Sequence, residues 1–289
     1  MISTVNYHII KACNFKCKFC YATFNDIRTK GLLKSEQFRL IDKLAESKMF
    51  QKINFAGGEP TLVPHIIELI KHSKSLGFET SIVTNGSKID FEWVKKVSPF
   101  LDILAISVDS FDEKANLDSG RNNNGTTFSF NQLIEITNAC HFFGINLKLN
   151  TVVTQFNKSQ YLTPLINQIK PFRWKILQAT KVIGQNDKEF ELVKVSEKEF
   201  ERFSKQNQKG LNKEIKAVIE TNELIQGSYL MIDQKGRFYD SSLGRHNYSS
   251  CILDIGVNQS LEQISVDTIK FKKREGNYSM IKNSTNAHS

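Results

Sequence analysis

Apolar positions along this chain switch repeatedly between a two-residue and a helical period. Val5-Asn6-Tyr7-His8-Ile9-Ile10 alternates as a strand does. From Ser35 to Ser47 the apolar residues Phe38, Ile41, Leu44 and Ala45 recur at helical spacing, with Ser35 as the expected N-cap. Lys52-Ile53-Asn54-Phe55 reads as a second strand, and a helix opened by Pro64 carries Ile66, Ile67, Leu69 and Ile70 to a C-cap near Gly77. The same alternation continues through a strand at Thr80–Thr84, a helix at Phe91–Val97 and a strand at Ile103–Ser107. It then runs through a helix at Phe130–Phe143, a strand at Leu147–Val153, a helix at Tyr161–Ile169 and a strand at Trp174–Gln178. Strands alternating with helices predict an α/β fold whose parallel sheet is covered by helices. About six such units without closure predict a partial (βα)6 barrel, with functional residues at the C-terminal ends of the strands.

From about Gln185 the pattern changes. The stretch 188–208 is charged, with a helix expected over Glu197–Lys205, and residues 223–239 suggest a hairpin. Residues 1–184 are therefore expected to form the barrel core. Residues 185–289 are expected to form a C-terminal extension that covers the open side and the substrate pocket, ending in a polar, disordered tail beyond Ile281.

Composition narrows the partners. The chain is 40% hydrophobic and 24% charged, as ordinary globular proteins are. Lys and Arg outnumber Asp and Glu by 39 to 30, a formal charge of +9 that suits a polyanion. The lysines are scattered, without the aromatic-interleaved stripe of a nucleic-acid surface, so a small phosphate-bearing molecule fits better. With no run of 18 apolar residues, no signal-peptide core before the first cysteine and a Met1–Val5 stretch too short for an amphipathic anchor, no membrane attachment and a cytoplasmic location are expected. Five cysteines in 289 residues are not a disulfide framework.

Three of those cysteines carry the chemistry. Cys13-Asn14-Phe15-Lys16-Cys17-Lys18-Phe19-Cys20 sets them at C-x3-C-x2-C spacing in one loop after the first strand. Four thiolates would close a zinc site or hold every iron of a [4Fe–4S] cluster. Three hold three irons and leave the fourth open to a small chelating ligand. A zinc knuckle completed by a distant His or Cys is the alternative. Cys140 and Cys251 stand apart and read as small apolar residues, and the isolated His8 and His141 as structural histidines.

The cysteine spacing, with the aromatic Phe19 before the third cysteine, resembles the radical S-adenosylmethionine (SAM) superfamily. There the cluster passes an electron to SAM and cleaves it to a 5′-deoxyadenosyl radical. Gly57-Gly58-Glu59-Pro60, after the second strand, matches the motif that meets the SAM amino group in that superfamily, its glycines letting backbone approach the ligand. Asn85-Gly86 follows the third strand in the same way. Ser107 ends the fourth strand and reads either as a SAM contact or as a strand-end cap.

Two later strands point to a phosphate. Lys148 and Asn150 share one face of their strand, as Arg173 and Lys175 do on the next. Cations inside a barrel are costly without a partner, and no carboxylate occupies a matching position on these strands. A bound polyanion would satisfy them; an exposed strand end near the barrel mouth is the other reading.

Within the superfamily the chain resembles the viperins. The likeness runs through Asn6-Tyr7-His8, the cysteine loop, Lys52–Phe55, Gly57–Pro60, Asn85-Gly86-Ser87, Leu101–Ser107 and Asp109–Asp112. It continues in Arg173-Trp174-Lys175, Ser228-Tyr229-Leu230 and Ile252–Val257, and spans about residues 5 to 280. The resemblance implies abstraction of the ribose C4′ hydrogen of a nucleoside triphosphate, CTP in the vertebrate enzymes. The 3′-hydroxyl is then lost as water, giving a 3′-deoxy-3′,4′-didehydro nucleotide that terminates viral chain synthesis. It implies a flavodoxin-type or reductase electron donor. It assigns the cluster to Cys13, Cys17 and Cys20, and SAM to Phe19, Gly57, Gly58, Glu59, Asn85, Ser107 and Arg121. Asn6, Lys52, Lys148, Asn150, Arg173, Lys175 and Arg245 fall to the substrate, with Tyr229 beside the reacting ribose. Ala56 stands where vertebrate viperins carry serine, and His246 where they carry lysine, which leaves the base and one phosphate contact open. A radical SAM enzyme acting on a peptide or RNA is the competing enzyme class.

Overall fold

The computed structural model describes residues 2–278, so the tail beyond Ile281 lies outside the described residues. The strands are β1 (Thr4–His8), β2 (Lys52–Ala56), β3 (Glu79–Thr84), β4 (Ile103–Ser107), β5 (Asn146–Val153), β6 (Arg173–Gln178) and β7 (Lys216–Glu220). Three further strands follow: β8 (Met231–Ile232), β9 (Arg237–Asp240) and β10 (Asn247–Cys251). All join one 10-stranded sheet in the order β10-β9-β8-β1-β2-β3-β4-β5-β6-β7. From β1 to β7 every neighbouring pair is parallel. The strand β8 adds to the other side of β1 in parallel, and β9 and β10 follow antiparallel. The sheet does not close; β7 and β10 are its edges.

Helices α1 (Lys34–Glu46), α2 (Ile66–Ser75), α3 (Phe91–Val97), α4 (Glu113–Asp118), α5 (Phe130–Phe143) and α6 (Thr163–Ile169) make the crossovers. Their apolar stripes, such as Leu40, Leu44, Leu69 and Leu133, bury against the outward residues Val5, Tyr7, Phe55, Ile82, Ile106, Leu149 and Trp174. That contact forms the main core. Strand alternation sends the intervening residues to the opposite face, where Asn6, His8, Lys52, Asn54, Lys148, Asn150, Arg173 and Lys175 stand. An inner face this polar is not packed for stability alone.

Several expected boundaries change. Ser35 is not the cap of α1: Leu33 is, its N–H taken by the Glu36 carboxylate. Pro64 does not open α2, which begins at Ile66; Pro60 instead opens one 3-10 turn. The strand β7, a short Lys-Ala-Val-Ile-Glu between charged segments, escapes the alternation pattern, as do α4 and a helix at Asp187–Val193. The C-terminal part therefore extends the sheet at both edges as well as lying over it.

Candidate active site

The cysteine loop leaves the C-terminal end of β1 and is pinned from two sides. Gly58 and Glu59 donate backbone N–H bonds to Ile10 and Ala12, at 2.6 and 2.8 Å. A Cβ on Gly58 would stand 2.2 Å from the Ala12 carbonyl oxygen, so no other residue allows this approach. On the far side Lys16 donates to Gly120 and Lys18 to Ser119. Gly120 has φ +79, and a Cβ there would lie 2.1 Å from the Lys16 carbonyl oxygen.

Each thiol has its own donor. The Phe15 N–H lies 3.4 Å from Cys13 Sγ and Asn85 Nδ2 3.9 Å from the same sulfur. Arg121 Nη1 lies 3.6 Å from Cys17 Sγ. The Ala22 N–H faces Cys20. Burial pushes all three thiols up, Cys17 to about 12, with Arg121 pulling it back. Such thiols become thiolates only when a cation takes their protons' place. Among the described residues no three His, Cys, Asp or Glu side chains converge on one metal ion. The donor set itself, three thiols on one loop each with an N–H donor nearby, fits a cluster whose thiolates hold separate irons. Phe19 supports the loop rather than facing outward: its ring packs on Ala179 and Val193.

The motif residues after β2, β3 and β4 meet around this loop. The Glu59 carboxylate is buried and committed to protein donors, namely Thr61 N–H, the Thr61 and Thr84 hydroxyls and Asn85 N–H. It braces the loops, and the close backbone approach that Gly57 and Gly58 permit is to Ile10 and Ala12 at the start of the cysteine loop. Asn85 donates to Asn14 in the cysteine loop. Ser107 offers its carbonyl to Arg121.

Beneath the loop, on the inner face, Lys148 pairs across the sheet with Arg173, and Asn150 with Lys175. All three cations are buried. Among the described residues, Asn54 Oδ1, Asn150 Oδ1, Arg173 Nε and, from the C-terminal segment, Arg274 Nε are buried here without hydrogen-bond partners. Asn6 is already engaged, accepting from Asn54 and donating to the Leu230 carbonyl. Carboxylates that the sequence reading missed lie among the cations. Lys52 pairs with Glu79 at 3.1 Å. Glu220, at the end of β7, is fully buried and pairs with Lys175 and, at 3.7 Å, with Arg274. Tyr229 OH donates to Glu220 and accepts from Lys175 at 2.5 Å. Burial pushes the Glu220 carboxyl up, but Lys175, Arg274 and Tyr229 together hold it below its ordinary value.

The chain's own C-terminal segment covers this cationic floor. The Tyr278 ring lies under Lys52 at 3.6 Å and Arg173 at 4.3 Å, and Arg173 donates to the Glu275 carbonyl. The cavity left is about 40 Å³, far less than a nucleotide fills. A larger cavity of about 240 Å³, lined by His141, Lys170 and Asn212, opens at the start of β5 and β6 and contains neither thiols nor unpartnered buried groups.

Arg245 is not brought to this floor. It is exposed and bridges Ile183 instead, while Arg274 supplies the cation from the C-terminal side. Arg274 stacks on the Tyr229 ring at 3.6 Å. It was illegible because it sits in a lysine-rich stretch with no strand to give it a face. His8 turns inward into an aromatic group with Tyr21, Phe24 and Tyr239, where burial lowers it to about 3 and keeps it neutral.

One pH dependence follows from Lys148. Burial first, and then Arg173, lowers it to about 7. A bound polyanion favours its charged form, so binding above pH 7 takes up a proton. Affinity should be full below about pH 7 and fall by up to about tenfold per pH unit above it. Titration calorimetry in buffers of different ionisation enthalpy measures that uptake; an affinity flat from about pH 6.5 to 9 would remove Lys148 from the site.

Comparison with known proteins gives a consistent picture. Residues 7–161 match the Radical SAM superfamily. An S-adenosylmethionine-dependent nucleotide dehydratase of Flammeovirga pacifica is 40% identical over 96% of both chains. One of Lacinutrix mariniflava is 39% identical over 96% of this chain, which spans 58% of that longer relative. The S-adenosylmethionine-dependent nucleotide dehydratase RSAD2 of Siniperca chuatsi is 35% identical over 96% of this chain and 78% of its own. Among solved structures, anSMEcpe with bound AdoMet has a TM-score of 0.64 at 18% identity, covering 90% of this chain and 79% of that one. Streptococcus suis SuiB bound to S-adenosylmethionine has a TM-score of 0.62 at 17% identity, over 89% of this chain and 62% of that one. These two share the fold. No helix among the described residues is long and apolar enough to cross a membrane.

Proposed function

Because this chain belongs to the radical SAM superfamily, and within it to the S-adenosylmethionine-dependent nucleotide dehydratases, we propose that it dehydrates a nucleoside triphosphate. The ribose C4′ hydrogen would leave as an atom to the 5′-deoxyadenosyl radical and the 3′-hydroxyl would leave with a proton as water, the electron donor supplying the one further electron that closes the C3′–C4′ double bond; the product is a 3′-deoxy-3′,4′-didehydro nucleotide that serves as an antiviral chain terminator. CTP is the first candidate, with UTP and GTP next. The observation that carries this reading is the buried floor of Lys52, Lys148, Arg173, Lys175 and Arg274 under the cysteine loop, with its unpartnered Asn150, Arg173 and Arg274 atoms.

A [4Fe–4S] cluster on Cys13, Cys17 and Cys20, supplied with electrons by a flavodoxin-type or reductase donor, provides the radical chemistry with SAM. The protein's own part is positioning. Lys148, Arg173, Lys175 and Arg274 grip phosphate oxygens, which requires Glu275–Tyr278 to leave the floor. Tyr229, held by Lys175 and Glu220, sets the ribose beneath the loop. Holding C4′ in reach supplies much of the rate.

The test is incubation with reductant, SAM and each of CTP, UTP, GTP and ATP, with mass spectrometry seeking a nucleotide lighter by one water. SAM cleavage that leaves all four unchanged would overturn the reading. Lys175→Ala should weaken triphosphate binding by about 10- to 100-fold, equally for each base accepted, since a charge-assisted bond is worth ~1.5–3 kcal/mol. Unchanged affinity with altered base choice would move Lys175 out of the phosphate site.

A further inference from the structure

The cysteine loop carries three lysines for which neither SAM nor substrate has a use. One side of the loop meets Gly58, Glu59 and Asn85. The other is protein surface: Lys11 and Lys16 are exposed and Lys18 is half-buried, on a loop whose thiols are half-buried too. Lys16 Nζ lies 3.5 Å from the Cys13 carbonyl, and Lys11 Nζ donates to the Ile27 carbonyl at 3.0 Å. Lys18 Nζ lies 5.5 Å from the centre of the half-buried Phe156 ring. A fourth cation joins them: Asn14 of the loop donates to Ser87, and the next residue, Lys88, is exposed. Among the described residues none of these four ammoniums pairs with a carboxylate. Carboxylates on the adjoining segments are engaged elsewhere, Asp118 with Lys114 at 2.6 Å, Asp26 with Gln185 at 2.8 Å and Asp90 with the Trp93 N–H at 2.7 Å. Unpaired positive charge is thus gathered on the loop that bears the sulfurs.

We propose that Lys11, Lys16, Lys18 and Lys88 form the docking surface for an acidic electron-donor protein of the flavodoxin type. The proposal rests on the cluster reading above. An electron crosses between two proteins only where their redox centres come close, and these lysines are the exposed face of the segment that would hold the cluster. Each encounter transfers one electron: the donor's reduced flavin loses it and the cluster gains it. Redox encounters of this kind are weak and bury little surface. They need steering more than a broad apolar face, and unpaired lysines meeting an acidic partner supply it.

The experiment measures binding of an oxidised acidic flavodoxin to the iron-loaded enzyme, and cluster reduction by the reduced flavodoxin and by reduced methyl viologen, a small cation. Lys16→Glu with Lys18→Glu should weaken binding and slow reduction by flavodoxin about 10- to 100-fold, and remove most of their salt dependence. Reduction by methyl viologen should not slow. Lys95→Glu with Lys96→Glu makes the same change in net charge in the last turn of α3, at the other end of the sheet from the loop. It should alter the flavodoxin rate by less than about threefold, because distant exposed charges are screened. Flavodoxin binding and reduction unchanged in the loop variant, or lowered equally in the α3 variant, would overturn the proposal. Slower reduction by methyl viologen at unchanged iron content would also overturn it, since the lysines would then act on the cluster itself. A loop variant that keeps flavodoxin but loses binding of a single-stranded RNA would assign the surface to nucleic acid instead. If the loop variant fails to load iron, Lys88→Glu, which lies off the loop, decides by the same criterion with a smaller change. A parent chain that binds zinc and no iron would overturn the cluster reading itself, and the iron content tells that failure apart.

Discussion

Replacing any one of Cys13, Cys17 or Cys20 with Ala is expected to reduce SAM cleavage to background. On the proposed cluster assignment each thiolate would hold a different iron, so losing one would remove a corner of the cluster, not a redundant ligand. No substitute is within reach. Cys140 is fully buried on the outer side, in α5. Cys251 ends β10, near Gly236. Among the described residues no other group of His, Cys, Asp or Glu could take a metal ion. The loop itself should survive, because Gly58, Glu59, Ser119 and Gly120 hold it through backbone bonds that do not involve sulfur. The variants should therefore fold, with the far-ultraviolet circular dichroism of the parent, and fail in iron content and 5′-deoxyadenosine formation. Full 5′-deoxyadenosine production by any single variant would refute the assignment.

What could be read from sequence followed physical period. The strands β1 to β6 and most of their crossover helices carry clean two-residue or helical repeats, and their order in the sheet is the chain order. The motifs fall at strand ends because a parallel sheet brings those ends together. The floor was half legible: Lys148 and Arg173 show their face through strand alternation. Their counter-charges were not. Glu220 lies on a strand too short and too charged-flanked to declare itself, and Glu79 begins a strand as an ordinary-looking surface residue. Arg274 and Tyr278 reach the floor through tertiary folding of a segment with no period at all. Resemblance carried Arg245 to the substrate, but the chain places it in an exposed bridge to Ile183. Residue type and neighbourhood in sequence did not distinguish it from Arg274.

Glu220→Gln is expected to destabilise the free protein and to make triphosphate a stronger stabiliser than it is for the parent. The carboxylate is fully buried, and Lys175 and Arg274 both lean on it. Removing one member of such a group leaves buried charge uncompensated, which costs about 3–5 kcal/mol. For a chain of this size that is a fall in melting temperature on the order of 10 °C. Burial already lowers Lys175 far below its ordinary value. In the variant it sheds its proton more readily, which limits the loss to the lower end of that range. The carboxyl's own pH dependence has a definite sign. Glu220 is held below its ordinary value in the folded chain, so its contribution is present above the unfolded carboxyl range and disappears as pH falls through the lowered one. The variant should lack that acid-side loss. A triphosphate brings new negative charge to the same cations, so it replaces what the neutral amide of the variant cannot give. Stabilisation by ligand grows with the ratio of its concentration to Kd. The rise in melting temperature on adding triphosphate should therefore be larger for Glu220→Gln than for the parent. Differential scanning fluorimetry with and without CTP, UTP, GTP and ATP measures both effects. A variant as stable as the parent, with the same ligand shift, would mean that Lys175 and Arg274 do not depend on Glu220 and that the floor is not built around an exchangeable anion.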